Sequence, residues 1–330
     1  MNRVLLLSTG GTIAALEGDE GLSPGLSPHA LLEAVPDIRA FCQPEGEALA
    51  SLDSTNILPK HWLQISRAIQ RRYNDFDAFV ITHGTDTLAY TGAALSYLIQ
   101  NSEKPIILTG AQRPIWAGGS DGPKNLLDSF FFAARSGVGG VYIVFGGKAI
   151  LGTRARKVKT MSYSAFDSIN YPPVAQIHHR QIVRYLLAPE PGSASVRFYD
   201  QLNPRVCLLK LTPGMPPDVL SYLSSSHDGI ILESFGTGGL PFTFHETAGR
   251  LAKDGCTLVL STQVALEGSD LDVYQVGRRI SGLNGILEAH DITAEAALAK
   301  LMWIFPQAKT ADEIRRLFYT PVYRDIYLPQ

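Results

Sequence analysis

Threonine hydroxyls follow glycines at two places in the N-terminal half of the chain. The segment Thr9–Thr12 (TGGT) ends one apolar run, and Thr82–Thr87 (THGTDT) ends another. A glycine pair allows a tight turn that could expose the Thr12 hydroxyl next to backbone N–H donors. A hydroxyl attacks a carbonyl when a neighbouring base accepts its proton, and backbone donors stabilise the developing oxyanion. The pattern is therefore compatible with nucleophilic chemistry. Taken alone, these residues favour the structural alternatives, which are a tight turn at Gly10–Gly11 and helix caps at Thr12 and at Asp86.

Phosphate binding and metal binding fit the sequence less well. The pair Gly147–Lys148 is followed by Ala149 and lacks the Ser or Thr of a Walker loop. The pair Gly10–Gly11 lacks the Gly-x-Gly spacing of a dinucleotide-binding turn. The sequence has no His-x3-His or Cys-x2-Cys pair. Nucleotide binding is therefore a weaker alternative, and no metal site is predicted.

The composition is that of an ordinary globular protein. The chain has 330 residues, of which 45% are hydrophobic and 18% charged, and its formal net charge is −2. The basic run Arg154–Lys159 has no counterpart elsewhere, so the electrostatic footprint of a nucleic-acid-binding protein is missing. No apolar stretch reaches the roughly 18 residues that are needed to cross a membrane. We therefore expect a protein that binds neither nucleic acid nor a membrane.

The cysteines and the N-terminal residues indicate the compartment. Cys42, Cys207 and Cys256 are odd in number and far apart, which argues against a disulfide framework and for a reducing environment. The N-terminal apolar run is short and passes into Gly and Thr, which is typical of a first strand rather than of a signal peptide. We therefore expect a cytoplasmic protein.

Short apolar runs without alternation predict strands that are buried on both faces. They are Val4–Leu7, Ala78–Thr82, Pro105–Thr109, Val141–Phe145, Val206–Leu211, Gly229–Glu233 and Thr257–Ser261. Segments with helical periodicity lie between them, at Lys60–Arg71, Thr87–Ile99, Leu126–Ala134, Asp218–Leu223, His245–Lys253, Ala294–Phe305 and Ala311–Phe318. Strands that alternate with helices predict an α/β fold with mostly parallel sheets and three layers.

The alternation pauses over residues 188–204 (APEPGSASVRFYDQLNP), where Pro, Gly and Ser cluster. We interpret this segment as a linker. It would separate a larger N-terminal catalytic domain, residues 1–187, from a smaller C-terminal domain, residues 205–330, and both are expected to be three-layer α/β domains. Two domains agree with the length of the chain.

Four strand ends in the N-terminal half are unusually polar and rich in hydroxyls. They are Thr9–Thr12, Leu52–Asn56, Thr82–Thr87 and Thr109–Pro114. Ligands of open parallel sheets bind outside the carboxyl ends of the strands. We therefore expect all four segments to converge on one crevice.

Two of these segments, taken together, resemble a known pair of motifs. TGGTIA at Thr9–Ala14, followed by HGTDT at His83–Thr87, is similar to the paired signature of the bacterial-type L-asparaginase family in its cytoplasmic, type I-like form. Further similarities lie at Asp53–Ser54, Gly110–Pro114, Asp121–Pro123 with Asn125, Gly152–Lys157 and Gly236–Gly238. The resemblance covers essentially the whole chain.

The resemblance implies a two-domain α/β amidohydrolase that converts L-asparagine to L-aspartate and ammonia, without a metal or organic cofactor. It also implies a homodimer, commonly paired into a homotetramer, with each site at the subunit interface and completed by the partner's C-terminal domain. Glutamine is one methylene longer than asparagine, a difference worth only about 1–3 kcal/mol in a pocket. Side activity on L-glutamine is therefore compatible with this function.

The catalytic residues implied by the resemblance are Thr12 as nucleophile and Thr85, Asp86 and Lys157 as a second constellation that relays protons. A lysine beside a threonine hydroxyl acts as a base only when its neutral form is favoured or when it shuttles protons within a hydrogen-bonded set. Asp86 is also expected to bind the substrate's α-ammonium through a charge-assisted hydrogen bond. The backbone N–H groups of Thr12 and Thr85 are the expected oxyanion donors.

The substrate-binding residues implied by the resemblance are Asp53, Ser54, Thr55, Gly84 and Ala111. Ser54 matches the position that holds the α-carboxylate, and Thr55 lies beside it. The Ala111 carbonyl matches the group that meets the substrate's amide nitrogen. A site that contacts both α-groups and one amide would be specific for a small amino acid.

Two lysines compete for the relay position. Lys157 is chosen because of its distance along the chain from Gly152. In an extended segment, Lys159 would face the same side and is the alternative. The structural alternative for both lysines is a solvated basic run.

The sequence departs from the family pattern at two positions. Many members have a tyrosine in the loop after the first motif that helps to position the nucleophile, whereas residues 16–25 contain none and Leu22 stands near its place. Tyr274 resembles a tyrosine that some cytoplasmic members supply from the partner subunit, and a core or interface aromatic is the alternative. Thr237 stands where several members have an asparagine that contacts the neighbouring site.

Two other functions remain open. The first is a glutamine-hydrolysing amidohydrolase subunit that feeds ammonia to a partner. Relatives of that kind usually carry an additional N-terminal module, and we expect none before the first strand here. The second is a non-enzymatic amino-acid sensor on the same scaffold. A sensor would be expected to lack Thr12, Thr85 or Lys157, and all three are present.

Overall fold

The computed structural model of the chain describes residues 1–18, 21–185, 194–280 and 282–328. The chain divides into two units, Met1–Asp200 and Gln201–Gln330. Residues 188–193 of the predicted linker lie outside the described residues, and the predicted domain boundaries at residues 187 and 205 stay a prediction. After this gap, Arg197–Phe198 forms a short strand that pairs with Ile99–Gln100 of the first unit.

The larger unit alternates strands and helices along the chain. Its strands are β1 (Arg3–Gly10), β2 (Ala15–Gly18), β3 (Gly21–Pro24), β4 (Gln43–Leu52), β5 (Ala78–Thr82), β6 (Ile99–Gln100), β7 (Pro105–Thr109), β8 (Gly140–Phe145), β9 (Lys148–Leu151), β10 (Ala155–Lys157), β11 (Phe166–Ser168), β12 (Ala175–His178), β13 (Gln181–Arg184) and β14 (Arg197–Phe198). Its helices are α1 (Pro28–Glu33), α2 (Pro59–Arg72), α3 (Leu88–Leu98) and α4 (Gly122–Arg135), with short 3-10 turns at Thr12–Ala14, Pro36–Ala40 and Ser54–Asn56.

The central sheet of this unit has the strand order β13-β12-β9-β8-β7-β5-β1-β4. The five strands from β8 to β4 are parallel, whereas β9, β12 and β13 are antiparallel to their neighbours. Apart from Arg3, every residue of β1, β5, β7 and β8 is buried. These four strands carry the continuous apolar runs because both of their faces are covered.

Helices lie on both faces of the central sheet. Leu6 of β1 and Val144 of β8 share one apolar core with Phe130 of α4. On the opposite face, Gly92 of α3 approaches Ile143 of β8 so closely that a Cβ there would lie 3.0 Å from the Ile143 side chain. Consecutive strand residues point to opposite faces, so the sheet lies between two helical layers. The predicted α/β fold with mostly parallel sheets is confirmed.

The smaller unit repeats the same architecture with fewer strands. Its elements are β15 (Val206–Lys210), α5 (Asp218–Ser224), β16 (Gly229–Ser234), α6 (Phe242–Lys253), β17 (Thr257–Thr262), α7 (Gln275–Arg278), β18 (Ile286–Glu288), α8 (Ala294–Ile304) and α9 (Ala311–Phe318). The sheet is parallel in the order β15-β16-β17-β18. Helix α8 begins after Thr293, whose hydroxyl accepts a hydrogen bond from the Ala296 N–H at 3.1 Å. Within the described residues, no helix is long and apolar enough to cross a bilayer.

Candidate active site

Four neighbouring strands of the central sheet end at the same edge. In the order β7-β5-β1-β4 all four are parallel, so the segments after Thr109, Thr82, Gly10 and Leu52 leave the sheet side by side. The chain passes from β1 to β4 on one side of β1 and then to β5 on the other. Ligands of such sheets bind where the strand order reverses.

A cavity of about 120 Å³ lies outside these strand ends. It is lined by Gly11, Thr12, Ala15, Leu22, Pro24, Asp53, Ser54, Gly84 and Asp86. Five of the predicted site residues therefore border one space, namely Thr12, Asp53, Ser54, Gly84 and Asp86. In the described part of the chain, no group of three or more His, Cys, Asp or Glu side chains could hold a metal ion.

Glycines allow the loops around the cavity to touch each other directly. Gly10 and Gly11 have φ values of 104° and 79°, which side chains disfavour. A Cβ on Gly11 would lie 2.3 Å from the backbone nitrogen of Gly84, and a Cβ on Gly84 would lie 2.5 Å from Ser54 Oγ. The Gly10–Gly11 turn, the segment after β4 and the segment after β5 are thus in backbone contact, which holds Thr12 beside the other two segments.

Replacing Gly11 with alanine is expected to lower the free energy of unfolding by about 3 kcal/mol or more. The added Cβ brings left-handed strain and also overlaps the backbone at Gly84. Gly137→Ala is the matched control, because Gly137 has a φ of 62° and only the tip of the Arg184 side chain lies near its Cβ position, at 4.0 Å. Urea unfolding of both variants measures the difference, and equal losses would contradict a contribution from the contact with Gly84.

Thr12 begins the 3-10 turn that follows the glycine pair. Its side chain is half-buried, and its hydroxyl has no hydrogen-bond partner among the described residues. Within the same part of the chain, the backbone N–H groups of Thr12 and Thr85 have no acceptor. One hydroxyl and two N–H donors are therefore available to a ligand in the cavity.

Hydrogen bonds join the segment after β4 to the segment after β5. Ser54 Oγ accepts a hydrogen bond from the Asp86 N–H at 3.3 Å, and the Ser54 carbonyl accepts one from the Thr87 hydroxyl at 2.8 Å. Asp53 Oδ1 accepts from both the N–H and the hydroxyl of Thr55, at 2.8 and 2.9 Å. Thr55 is exposed and does not line the cavity, so its place is beside Asp53 rather than in the cavity wall.

Lys157 joins two residues of the segment after β5. Its Nζ donates to Thr85 Oγ1 at 2.8 Å and to Asp86 Oδ1 at 2.7 Å. The Lys157 side chain is 20% exposed, whereas that of Asp86 is 55% exposed, so the pair contributes little to stability. The arrangement instead fixes the Lys157 amine against the Thr85 hydroxyl and links it to Asp86, which lines the cavity.

Lys157 rather than Lys159 contacts Thr85 because the strand is interrupted between them. Lys157 is the last residue of β10 and pairs with Phe166 of β11. The next two N–H groups, of Val158 and Lys159, both donate to the Ala165 carbonyl, at 2.8 and 3.2 Å. Two residues opposite one is a bulge, which ends the alternation of side chains. Lys159 is exposed, so the two lysines do not share a face.

The segment after β7 reaches the same set of residues through Gln112. Thr85 Oγ1 donates to Gln112 Oε1 at 3.3 Å, and Gln112 Nε2 donates to the carbonyls of Thr160 and Ser162 at 2.9 and 3.3 Å. Gln112 belongs to one of the four predicted segments, but no role was predicted for it. Ala111, which was predicted to bind substrate, is completely buried and does not line the cavity.

Comparison with known families covers nearly the whole chain. Residues 3–189 match the family described as asparaginase, N-terminal, and residues 205–318 match the family described as glutaminase/asparaginase C-terminal domain. The chain belongs to the asparaginase family. It is therefore an enzyme of the amidohydrolase class, as the paired threonine motifs predicted.

Similar proteins include asparaginases and a component of an amidotransferase. The chain is 39% identical over 320 residues to an L-asparaginase from Thermococcus kodakarensis, with 96% of each chain covered. The solved structure of the thermostable L-asparaginase from that organism covers 99% of this chain and all of its own, with a TM-score of 0.94. L-asparaginase I from Vibrio cholerae is 26% identical, with 99% of each chain covered and a TM-score of 0.89. A glutamyl-tRNA(Gln) amidotransferase subunit from Metallosphaera sedula is 33% identical over 96% of this chain and 75% of its own.

In this asparaginase-family chain, His83 holds the segment after β5 from the core side. The buried ring has Nδ1 2.7 Å from the Gly84 carbonyl oxygen and Nε2 2.9 Å from Thr91 Oγ1. A carbonyl only accepts, so Nδ1 carries the proton and the Thr91 hydroxyl donates to Nε2. Trp62 Nε1 in turn donates to Thr91 Oγ1 at 3.0 Å. Burial lowers the pKa of His83 to about 4, which keeps the ring neutral near pH 7.

The position of the expected loop tyrosine and the position of Tyr274 lie in different units of this asparaginase-family chain. Leu22 lies on the β2–β3 hairpin, lines the cavity and is 55% exposed, at the place where a loop tyrosine was expected. Tyr274 lies in the smaller unit, directly before α7, and is 60% exposed. Its segment is held in that unit by a hydrogen bond from the Asp270 N–H to the Thr237 carbonyl at 2.9 Å. A role of Tyr274 in a neighbouring subunit's site stays a prediction.

Glu288 is a half-buried carboxyl that is hydrogen-bonded to the segment before Tyr274. Its Oε1 accepts a hydrogen bond from the Leu271 N–H at 3.0 Å and lies 3.6 Å from His290 Nδ1. Burial raises the pKa of Glu288 to about 7 and lowers the pKa of His290. The histidine ring therefore brings no positive charge to the carboxyl at neutral pH.

Glu288 is expected to make the protein less stable as the pH rises from about 5 to 8. Between its unfolded pKa, about 4.3, and its folded pKa, about 7, the folded state holds a proton that the unfolded state has lost. The free energy of unfolding therefore falls through this window. Glu288→Gln removes the effect, so the variant should gain on the order of 1–3 kcal/mol on the wild type between pH 5 and pH 8. Urea unfolding at both pH values, with the exposed Glu246→Gln as control, measures this gain, and a constant difference would contradict it.

Proposed function

We propose that the protein hydrolyses L-asparagine to L-aspartate and ammonia, with Thr12 as the nucleophile. The observation that carries the proposal is the half-buried Thr12 hydroxyl in a cavity that Asp86, hydrogen-bonded to Lys157, also lines. The names of the similar proteins from Thermococcus kodakarensis and Vibrio cholerae support this substrate.

The size and charge of the cavity also favour a small amino acid. About 120 Å³ is well below the roughly 300–1,000 Å³ of sites for drug-sized ligands. Two of the lining residues, Asp53 and Asp86, are carboxylates, which attract the α-ammonium of a substrate. Ser54, which follows Asp53 in the chain and accepts a hydrogen bond from the Asp86 N–H, is the proposed partner of the α-carboxylate.

In the first proposed step, Thr12 Oγ1 attacks the carbon of the side-chain amide. The C–N bond breaks, the Thr12 proton passes to the amide nitrogen, and ammonia leaves. The backbone N–H groups of Thr12 and Thr85, which have no acceptor within the described residues, donate to the oxyanion of the tetrahedral intermediate. The product is an ester between Thr12 and the aspartyl group.

In the second proposed step, water attacks the ester carbon. Thr85 accepts a proton from this water while its own hydroxyl proton passes to Lys157, and Asp86 holds the lysine in place. The ester C–O bond breaks, the proton returns to Thr12 Oγ1, and L-aspartate leaves. The net reaction consumes one water and needs no cofactor.

An ammonia-release assay with L-asparagine, L-glutamine, D-asparagine and β-aspartyl peptides tests the proposal. We expect the largest kcat/KM for L-asparagine and a value about 10–200-fold lower for L-glutamine, since one methylene separates the two substrates. A preference for L-glutamine would instead favour a role in an amidotransferase. The similarity to the Metallosphaera sedula amidotransferase subunit supports this second function. Binding of L-asparagine without ammonia release would favour a sensor.

We also propose the assembly and location that the family resemblance implies. The protein would form a homodimer or homotetramer with two domains per chain, residues 1–187 and 205–330, in the cytoplasm. Tyr274 of a neighbouring subunit would supply the phenol that Leu22 does not. The exposed ring of Tyr274 and the aliphatic side chain at Leu22 support this assignment.

A further inference from the structure

We propose that Gln112 is a positioning residue that sets the direction of the Thr85 hydroxyl in the relay. This inference rests on the proposed function. Gln112 does not line the cavity, and it acts through its hydrogen bond to Thr85. Its effect follows from which atoms in this part of the structure can donate and which can only accept.

The orientation of the Gln112 amide is fixed by two carbonyls. Its nitrogen lies 2.9 Å from the Thr160 carbonyl oxygen and 3.3 Å from that of Ser162. Carbonyl oxygens accept but never donate, so the NH2 group must face them. A flipped amide would place its own oxygen against both. Gln112 Oε1 therefore faces Thr85.

The backbone of Gln112 is held equally firmly. Its N–H lies 3.0 Å from both carboxylate oxygens of Asp121. Asn125 Nδ2 donates to Asp121 Oδ2 at 3.1 Å and to the Gly110 carbonyl at 3.0 Å. The amide is thus anchored at its backbone and at its nitrogen, and Oε1 cannot turn away from Thr85 without loss of these bonds.

This orientation decides what the Thr85 hydroxyl can do. An amide oxygen only accepts, so Thr85 Oγ1 donates its one proton to Gln112 at 3.3 Å. Its lone pairs then face Lys157 Nζ, which donates to Thr85 Oγ1 at 2.8 Å. The proposed relay needs the opposite direction, in which Thr85 donates to a neutral Lys157. One proton cannot serve both acceptors, so Gln112 stabilises the resting state relative to the proton-accepting state.

The substitution of Gln112 changes none of the charged groups on the segments that adjoin Lys157 and Gln112. They are Asp86 after β5, Asp53 after β4, Arg113 and Asp121 after β7, and Arg156, Lys159 and Asp167 on the β10–β11 hairpin. The segment that contains Thr160 and Ser162 keeps a second attachment, because the Tyr163 hydroxyl donates to the Gly119 carbonyl at 2.7 Å. Gln112→Met preserves the length of the side chain and removes only its acceptor and donors.

The test compares Gln112→Met with the wild type over pH. Without Gln112 Oε1, the resting state loses a hydrogen bond and the proton-accepting state does not. We expect the half-point of the acid limb of kcat for L-asparagine to move to lower pH by about 0.3–1 pH unit. Ser162→Ala is the control, since it keeps the carbonyl that Gln112 uses, and its half-point should not move.

A second measurement follows the fraction of neutral Lys157 amine and does not depend on catalysis. Trace labelling with acetic anhydride at each pH, quantified at Lys157 by mass spectrometry, reports the neutral amine, and its half-point should move in the same direction. A half-point that is unchanged or moves to higher pH in both measurements overturns the inference, even if kcat and Tm fall.

If the wild type releases no ammonia, the proposed function fails. The shift in labelling alone then decides in which direction the Thr85 hydroxyl donates. Gln112→Leu replaces Gln112→Met if the latter does not fold.

Discussion

Thr12→Ala is expected to lower kcat for ammonia release from L-asparagine by about 10³–10⁶-fold, the range seen when a nucleophile is removed from a hydrolase. Alanine keeps the backbone N–H and the turn after the glycine pair, so the oxyanion donors remain while the attacking oxygen is lost. Stopped ammonia assays give kcat, and calorimetric titration with L-aspartate shows that the cavity still binds. Thr12→Ser restores a hydroxyl at the same place and should recover part of the activity.

Thr9→Ala provides the matched control for this prediction. Thr9 is the neighbouring threonine of the same turn, but its hydroxyl is buried and donates to the Thr82 carbonyl at 2.9 Å. Its loss should cost about 1 kcal/mol of stability and change kcat by less than about tenfold. If Thr12→Ala stayed within tenfold of the wild type, the nucleophile would have to be a different group, and Thr85 would be the first candidate.

The parts of the fold that could be predicted are those that packing alone determines. The central strands are covered on both faces, so their sequences are apolar without interruption, as in Ala78–Thr82. For strand β4, Gln43–Leu52, only the polar end was predicted, because the strand lies at the edge of the sheet, where its exposed and half-buried residues include glutamates. Strand β13 at the other edge was missed for the same reason, since the side chains in Gln181–Arg184 are exposed or only half-buried.

The parts of the site that could be predicted are those that short motifs carry. The threonines after β1 and β5 lie together because parallel neighbours end at one edge, a rule that needs only the strand assignment. The roles of His83 and Gln112 depend on partners such as Thr91 and Ser162, which no spacing in the sequence connects to them. The sequence could not decide between Lys157 and Lys159 for the relay position. The bulge that turns Lys159 away depends on the Ala165 carbonyl across the hairpin, which the sequence pattern does not show.

Lys157→Met is expected to lower kcat by about 10²–10⁴-fold, the usual effect of removing a proton-transfer group. Methionine replaces the aliphatic stem of a side chain that is mostly buried, so the fold should be kept, and thermal unfolding checks this. Within the part of the chain that the structure describes, the variant leaves the Thr85 hydroxyl with Gln112 as its remaining partner. Thr85 then lacks the amine that the proposed relay uses to receive its proton. The substitution should lower the rate of ester hydrolysis by water more than the rate of the first step. The expected time course in rapid-quench experiments is therefore a burst of ammonia followed by a slow phase.

Lys159→Met separates this role from the general effect of positive charge in the basic run. Lys159 is exposed and lies two residues further along the same hairpin, so the change in net charge is identical. We expect its kcat to stay within about twofold of the wild type, because surface charges are screened by solvent and salt. If Lys159→Met lost activity and Lys157→Met kept it, the relay would have been assigned to the wrong lysine. If both kept it, the water that attacks the ester would need another base, and Asp86, which lines the cavity next to Thr12, would be the group to test.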